Sequence, residues 1–97
     1  MTGTGLEAAP HYIMTLFVTG TSFLSVRAVS RVREFCESEL AGDYALEVVD
    51  LYRAPERAKT AQIIAAPTLL RDKPAPVRRI IGDMSDRKRL RAAIKGS

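Results

Sequence analysis

Residues 64–86 read IAAPTLLRDKPAPVRRIIGDMSD, and the fold turns on how this stretch divides. The apolar run Ile63-Ile64-Ala65-Ala66 stops at Pro67, because a residue before proline avoids the helical region. A short apolar segment, Thr68-Leu69-Leu70, follows. Pro74 and Pro76 then shape a turn, and a second apolar run over 77–81 carries Arg78 and Arg79 before Gly82-Asp83 ends it. Two strand-like runs joined by a proline-containing turn predict a hairpin over residues 68–72 and 77–81. Each X-Pro bond here is able to be cis at modest cost. Adjacent Arg78 and Arg79 point to opposite faces of a strand. At most one faces the core, where it needs a partner. The other serves either a carboxylate on a second protein or the charge protection of a sheet edge.

Working outward, residues 11–19, HYIMTLFVT, read as a strand apolar enough to be central in a sheet. Gly20-Thr21-Ser22 is the following turn, with Ser22 as a helix N-cap. Residues 23–40 have helical period, with Val26, Val29, Val32 or Arg33, Cys36 and Leu40 on the apolar stripe. Arg27 and Arg31 precede Glu34 at spacings that support surface ion pairs. Gly42 stands where a C-terminal cap glycine is expected. Residues 44–51 form a second strand, so the first half is a right-handed βαβ unit with parallel strands. Pro55 and Glu56 open another helix, running to Gln62 or Ile64. After the hairpin, Ser85 is the expected N-cap, with Asp86 in the first turn. A last helix over 87–95 has Leu90, Ala93 and Ile94 as its apolar face, and Gly96 closes it. The predicted order is β-α-β-α-β-β-α, an α/β fold. Residues 1–10 lack periodicity and are expected to be a disordered tail, with 11–97 as a single domain.

The 97 residues and 46% hydrophobic share are enough for one modest core. No apolar run approaches the length of a membrane span. The first ten residues lack the basic and apolar regions of a signal peptide, and one cysteine allows no internal disulfide. Both point to a cytoplasmic location. Charge is uneven. Residues 1–70 hold six Lys/Arg against eight Asp/Glu, and residues 71–97 hold nine against three. A basic C-terminal third favours an acidic partner surface, the plainer alternative being a solvated face. No aromatic residues interleave with it, so nucleic acid is not the expected partner. Cys36 falls on an apolar helix stripe and reads as a buried structural thiol. His11 has no ligand-type neighbours in sequence, so neither metal nor cofactor is expected. One His and one Cys build no nucleophile–base set, so the chain is not expected to be an enzyme.

Val18-Thr19-Gly20, Ser25-Val26-Arg27-Ala28, Tyr44-Ala45-Leu46-Glu47-Val48-Val49-Asp50, Ala66-Pro67-Thr68-Leu69 and Pro76 through Ser85 together resemble the KaiB family of circadian clock proteins. The resemblance spans residues 12–94. It implies a thioredoxin-like fold without redox chemistry, since the turn Gly20-Thr21-Ser22-Phe23-Leu24 holds no cysteine. Ala66-Pro67-Thr68 is similar to the cis-proline site of that fold. The resemblance also implies an alternative state in which the C-terminal half is rearranged. KaiB-like proteins bind the N-terminal ATPase ring of the KaiC hexamer, and KaiA and sensor histidine kinases compete for the same surface. A KaiC-type hexamer is therefore the expected partner, with a KaiA-like protein or a histidine kinase as further ones, and a homo-oligomer is allowed. By resemblance, contacts fall on Pro55, Glu56, Lys59, Gln62, Arg71, Arg78 and Arg79. The alternative function is a KaiB-like sensor or protein-interaction module in signalling outside a clock. Pro67, Pro74 and Pro76 belong to the half that changes fold. Ala93 and Lys95 stand where family members with the alternative fold commonly carry Gly and Asp. Ala suits a helix interior and Lys its C-terminus, so both favour the final helix and a thioredoxin-like resting state.

Overall fold

A computed structural model describes residues 9–96; the tail expected over 1–10 lies, apart from its last two residues, outside them. The order of elements matches expectation: β1 (Tyr12–Val18), α1 (Phe23–Glu39), β2 (Tyr44–Asp50), α2 (Pro55–Thr60), β3 (Thr68–Lys73), β4 (Arg78–Ile81) and α3 (Arg87–Lys95). The strands form one sheet in the order β2-β1-β3-β4. β1 and β2 are parallel, with Tyr12 opposite Tyr44 and Val18 opposite Asp50, as the long crossover through α1 requires. β3 runs antiparallel to both β1 and β4, and Arg71 stands opposite Arg78.

β1 is an inner strand, which explains its nearly unbroken apolar run. Met14, Leu16 and Val18 enter the main core, and Phe17 enters a smaller cluster on the opposite face. α1 and α3 cover the main core with Val32, Phe35, Leu90 and Ile94. The smaller cluster of Phe17, Val49 and Leu70 is closed by Leu51, Ala54, Ala61 and Ile63, which places α2 on that second face.

Four local expectations are corrected. The buried stripe of α1 is Ser25, Ala28, Val32, Phe35 and Cys36. Val26 is 54% exposed. Small residues occupy the first buried turns, and Phe35 supplies the bulk further along. Arg31 bridges to Asp83 at 3.1 Å rather than pairing along the helix with Glu34. α2 stops at Thr60, because Gln62 takes a left-handed φ of 57° that carries Ile63 inward. Asp86, not Ser85, caps α3, its carboxylate accepting from the Arg89 N–H at 3.1 Å. A carboxylate at that position also complements the helix N-terminus. Ser22 caps α1 as expected, accepting from the Ser25 N–H. At the other end of α1 two residues are left-handed, Ala41 (φ 51°) and Gly42 (φ 80°), so glycine takes only the second. The peptide bonds before Pro67, Pro74 and Pro76 are all cis. Cys36 is buried, and burial pushes its thiol up to about 11, with Glu37 adding to the shift.

Candidate docking surface

α2 is a helix with no buried residue of its own. Pro55 fixes its first turn, and Glu56 faces the positive end of the helix dipole. So short a helix is held by Ala54, Ala61 and Ile63 packing at its two ends and by a clamp at each edge of the sheet. At the β2 edge, the Arg57 guanidinium donates two bonds of 2.7 Å to the two carboxylate oxygens of Glu47. This bond holds the Glu47 carboxyl below its ordinary range and raises Arg57. At the β4 edge, Arg79 donates from Nη1 to the Gln62 carbonyl and from Nη2 to the Ala61 carbonyl, each at 3.0 Å. These are carbonyls that the helix leaves without an internal partner. A cavity of about 240 Å³ remains beneath α2, lined by Thr15, Phe17, Leu70 and Asp72 together with helix residues. There the Thr15 hydroxyl donates to Asp72 at 2.9 Å.

Pro55, Glu56, Lys59 and Gln62 are all exposed. Their spacings of three and four bring them onto one face of the short helix and its exit. The three arginines expected with them separate. Arg79 is exposed and clamps the exit of α2. Arg78 is half-buried on the opposite face of β4, the same side as buried Ile80. Arg71 is corrected: at 2% exposed it is inside the protein and not on a contact surface. Its Nη1 donates to the carbonyls of Ile94 (3.0 Å) and Gly96 (2.6 Å), and its Nη2 to that of Pro76 (2.8 Å). Burial lowers its affinity for a proton, and nearby Arg78 adds to this. The negative end of α3 is what compensates the buried charge.

Ala93 packs against the main core, and the Lys95 ammonium lies 3.9 Å from Glu39. Glu39 also receives Arg91 at 2.6 Å and Arg87 at 3.3 Å, and the Arg91 bond leads the causes that depress its carboxyl. This fan ties the end of α1 to α3. Sequence reading missed a set of exposed apolar side chains at the end of the sheet where β1 and β2 finish. Tyr52 is 76% exposed and Phe23 69% exposed. The Tyr52 ring lies over Gly20, where an added Cβ would come 3.7 Å from it. The available signal was position, since each of these residues sits just beyond a strand or at a helix start.

Among the described residues, no group of three His, Cys, Asp or Glu is placed to hold a metal ion. No helix among them is long and apolar enough to cross a membrane.

The family model for the KaiB domain matches residues 15–95. A circadian clock oscillator protein KaiB of Prochlorococcus marinus (strain NATL2A) is 46% identical over 85 residues, covering 88% of this chain and 79% of that protein. The protein of the same name from Nostoc punctiforme is 42% identical over 85 residues, covering 88% of this chain and 82% of the relative. Among solved structures, the N-terminal domain of Synechococcus elongatus SasA superposes with a TM-score of 0.73 at 22% identity, covering 95% of this chain and 90% of that one. Mitochondrial thioredoxin 3 from Saccharomyces cerevisiae gives a TM-score of 0.73 at 18% identity, covering 90% and 79%. The fold is thioredoxin-like.

Proposed function

Given that the chain belongs to the KaiB family, we propose that it is a clock protein that acts without catalysis, as an adaptor docking on the N-terminal ATPase ring of a KaiC-type hexamer. The observation that carries this reading is the 46% identity to a clock oscillator KaiB across 88% of the chain. The geometry supports it through α2, an exposed helix tied to both edges of the sheet. A face clamped in this way loses little conformational entropy on binding. Pro55, Glu56, Lys59 and Gln62 form the contact face. Arg79 positions the exit of α2, and Arg78, on the opposite face of β4, lies outside this contact face. Arg71 acts indirectly, by holding α3. A KaiA-like protein or a histidine kinase would compete at the same surface.

The test is co-elution of the full chain with a KaiC-type hexamer from the same cell, with and without ATP. A complex that is lost in Lys59→Glu is the expected result. No complex under either condition would remove the proposal and leave the fold intact.

A further inference from the structure

The two edges of the sheet are finished differently. β4 is four residues long and carries Arg78 and Arg79 side by side, a length and a charge that discourage pairing with another strand. β2 is seven residues long, pairs with β1 residue for residue without a bulge, and contains no Lys, Arg, Pro or Gly. Its two carboxylates are occupied within the chain. Glu47 is held by Arg57, and Asp50 accepts from the N–H groups of Gly20 and Tyr52. Among the described residues, β2 therefore lacks the usual protections of an edge strand.

The pairing with β1 fixes which backbone groups stay open. The Tyr12 N–H donates to the Asp43 carbonyl at 3.3 Å, and the Leu51 N–H donates to the Val18 carbonyl at 2.8 Å. Alternate residues of a strand bond to the same neighbour, so Ala45, Glu47 and Val49 also face β1. Tyr44, Leu46 and Val48 present their N–H and C=O groups to the other side, where β2 is the last strand among the described residues. Their side chains lie on the main-core face and are only partly buried. A hollow of about 370 Å³, lined by Val18, Val26, Val29 and Val48 with three small residues, reaches this edge, and Val26 is 54% exposed.

We propose that β2 is a self-association edge, at which two copies of this chain pair antiparallel about a twofold axis at Leu46. The strand is complementary to itself in this register. Leu46 meets its own counterpart, Tyr44 meets the second copy's Val48, and Ala45 meets the second copy's Glu47, so apolar side chains oppose one another on the core face and no like charges meet. The open groups of Tyr44, Leu46 and Val48 all gain partners. The second copy's Tyr44 also falls beside the valine-lined hollow, through its pairing with Val48. Other registers are worse. An axis at Glu47 sets two carboxylates opposite each other, and an axis at Val48 sets Leu46 against Asp50. One strand pair buries little area, so the dimer belongs to the weak class. This pairing does not depend on the adaptor reading.

The test is sedimentation equilibrium of the full chain up to about 1 mM, beside Ala45→Glu and Ala45→Lys. Ala45 is exposed, so neither change enters the core, and the thermal midpoint of dilute protein checks folding. Position 45 faces Glu47 across the axis twice in each dimer. A concentration-dependent dimer is expected, weakened about tenfold in Ala45→Glu and tightened in Ala45→Lys, a gain that added salt removes. A second measurement needs no variant: amide exchange at Tyr44, Leu46 and Val48 slows as concentration rises. Three results each overturn the proposal: a chain that stays monomeric throughout, a dimer on which the two charges do not act in opposite directions, or exchange at these three residues that ignores concentration.

Discussion

Arg71 places a guanidinium among three backbone carbonyls, with no carboxylate bridged to it among the described residues. Its work is to satisfy the last carbonyls of α3 and one carbonyl of the β3–β4 connection. In Arg71→Met the side chain still fills the space, but the buried carbonyls lose their donor. We expect a loss of about 1–3 kcal/mol, the usual cost of orphaning buried polar groups. Amide exchange should accelerate first in α3, and unchanged α3 exchange would contradict the role. Cys36 offers a second residue-level check. With its thiol raised to about 11 and buried, it should ignore a thiol reagent near pH 8 until the protein is unfolded. Rapid labelling of the native chain would show that the site opens.

At the scale of elements, α2 and α3 are stabilised by different means. α2 buries no residue of its own and depends on the flanking Ala54, Ala61 and Ile63 together with the Glu47–Arg57 and Arg79 clamps. Glu47 is held below its ordinary carboxylate range, so its contribution is complete above that range and is lost as pH falls through the lowered value. Acidification should therefore speed exchange in α2 before the inner strands respond. Arg57→Ala should produce the same local loosening at neutral pH, and an α2 indifferent to both changes would sink the clamp argument. α3 is anchored by Leu90 and Ile94 and tied to α1 through Glu39. Ala93→Gly should cost about 1 kcal/mol by helix propensity. Lys95→Asp should add to that loss, since it places a negative charge at the helix C-terminus and beside Glu39. The two effects are read from helical circular dichroism during thermal unfolding.

For the whole molecule, the two faces of the sheet do different jobs. The α1/α3 face holds the main core, so large-to-small changes there should affect stability first; Phe35→Ala is expected to cost about 3–5 kcal/mol. The α2 face has the smaller cluster and carries the exposed helix. Lys59→Glu should leave the thermal midpoint nearly unchanged while weakening hexamer co-elution, because the Lys59 side chain is exposed and makes no hydrogen bond or ion pair among the described residues. A fall in stability equal to the fall in binding would move Lys59 from the docking face to the scaffold.

The sequence by itself determined the order of elements, the parallel βαβ half and the hairpin, because hydrophobic period and proline placement are local properties. It also determined the family, because the strings from Val18 to Ser85 lie in order along one chain. The family resemblance, and not spacing, pointed to Pro55, Glu56, Lys59 and Gln62 as contacts. Only the tertiary structure decided what the arginines do. Arg31, Arg57, Arg71 and Arg79 find partners between 5 and 52 residues away in the chain, and no pattern in the sequence encodes such closures. Arg71 and Arg79 are eight positions apart in one hairpin and read alike in sequence. Sheet pairing put the first inside against the end of α3 and left the second at the edge, clamping α2. The same reasoning explains the shifted stripe of α1. Period alone allows neighbouring arcs of a helix, and the choice falls to the arc whose small residues let the helix approach the sheet.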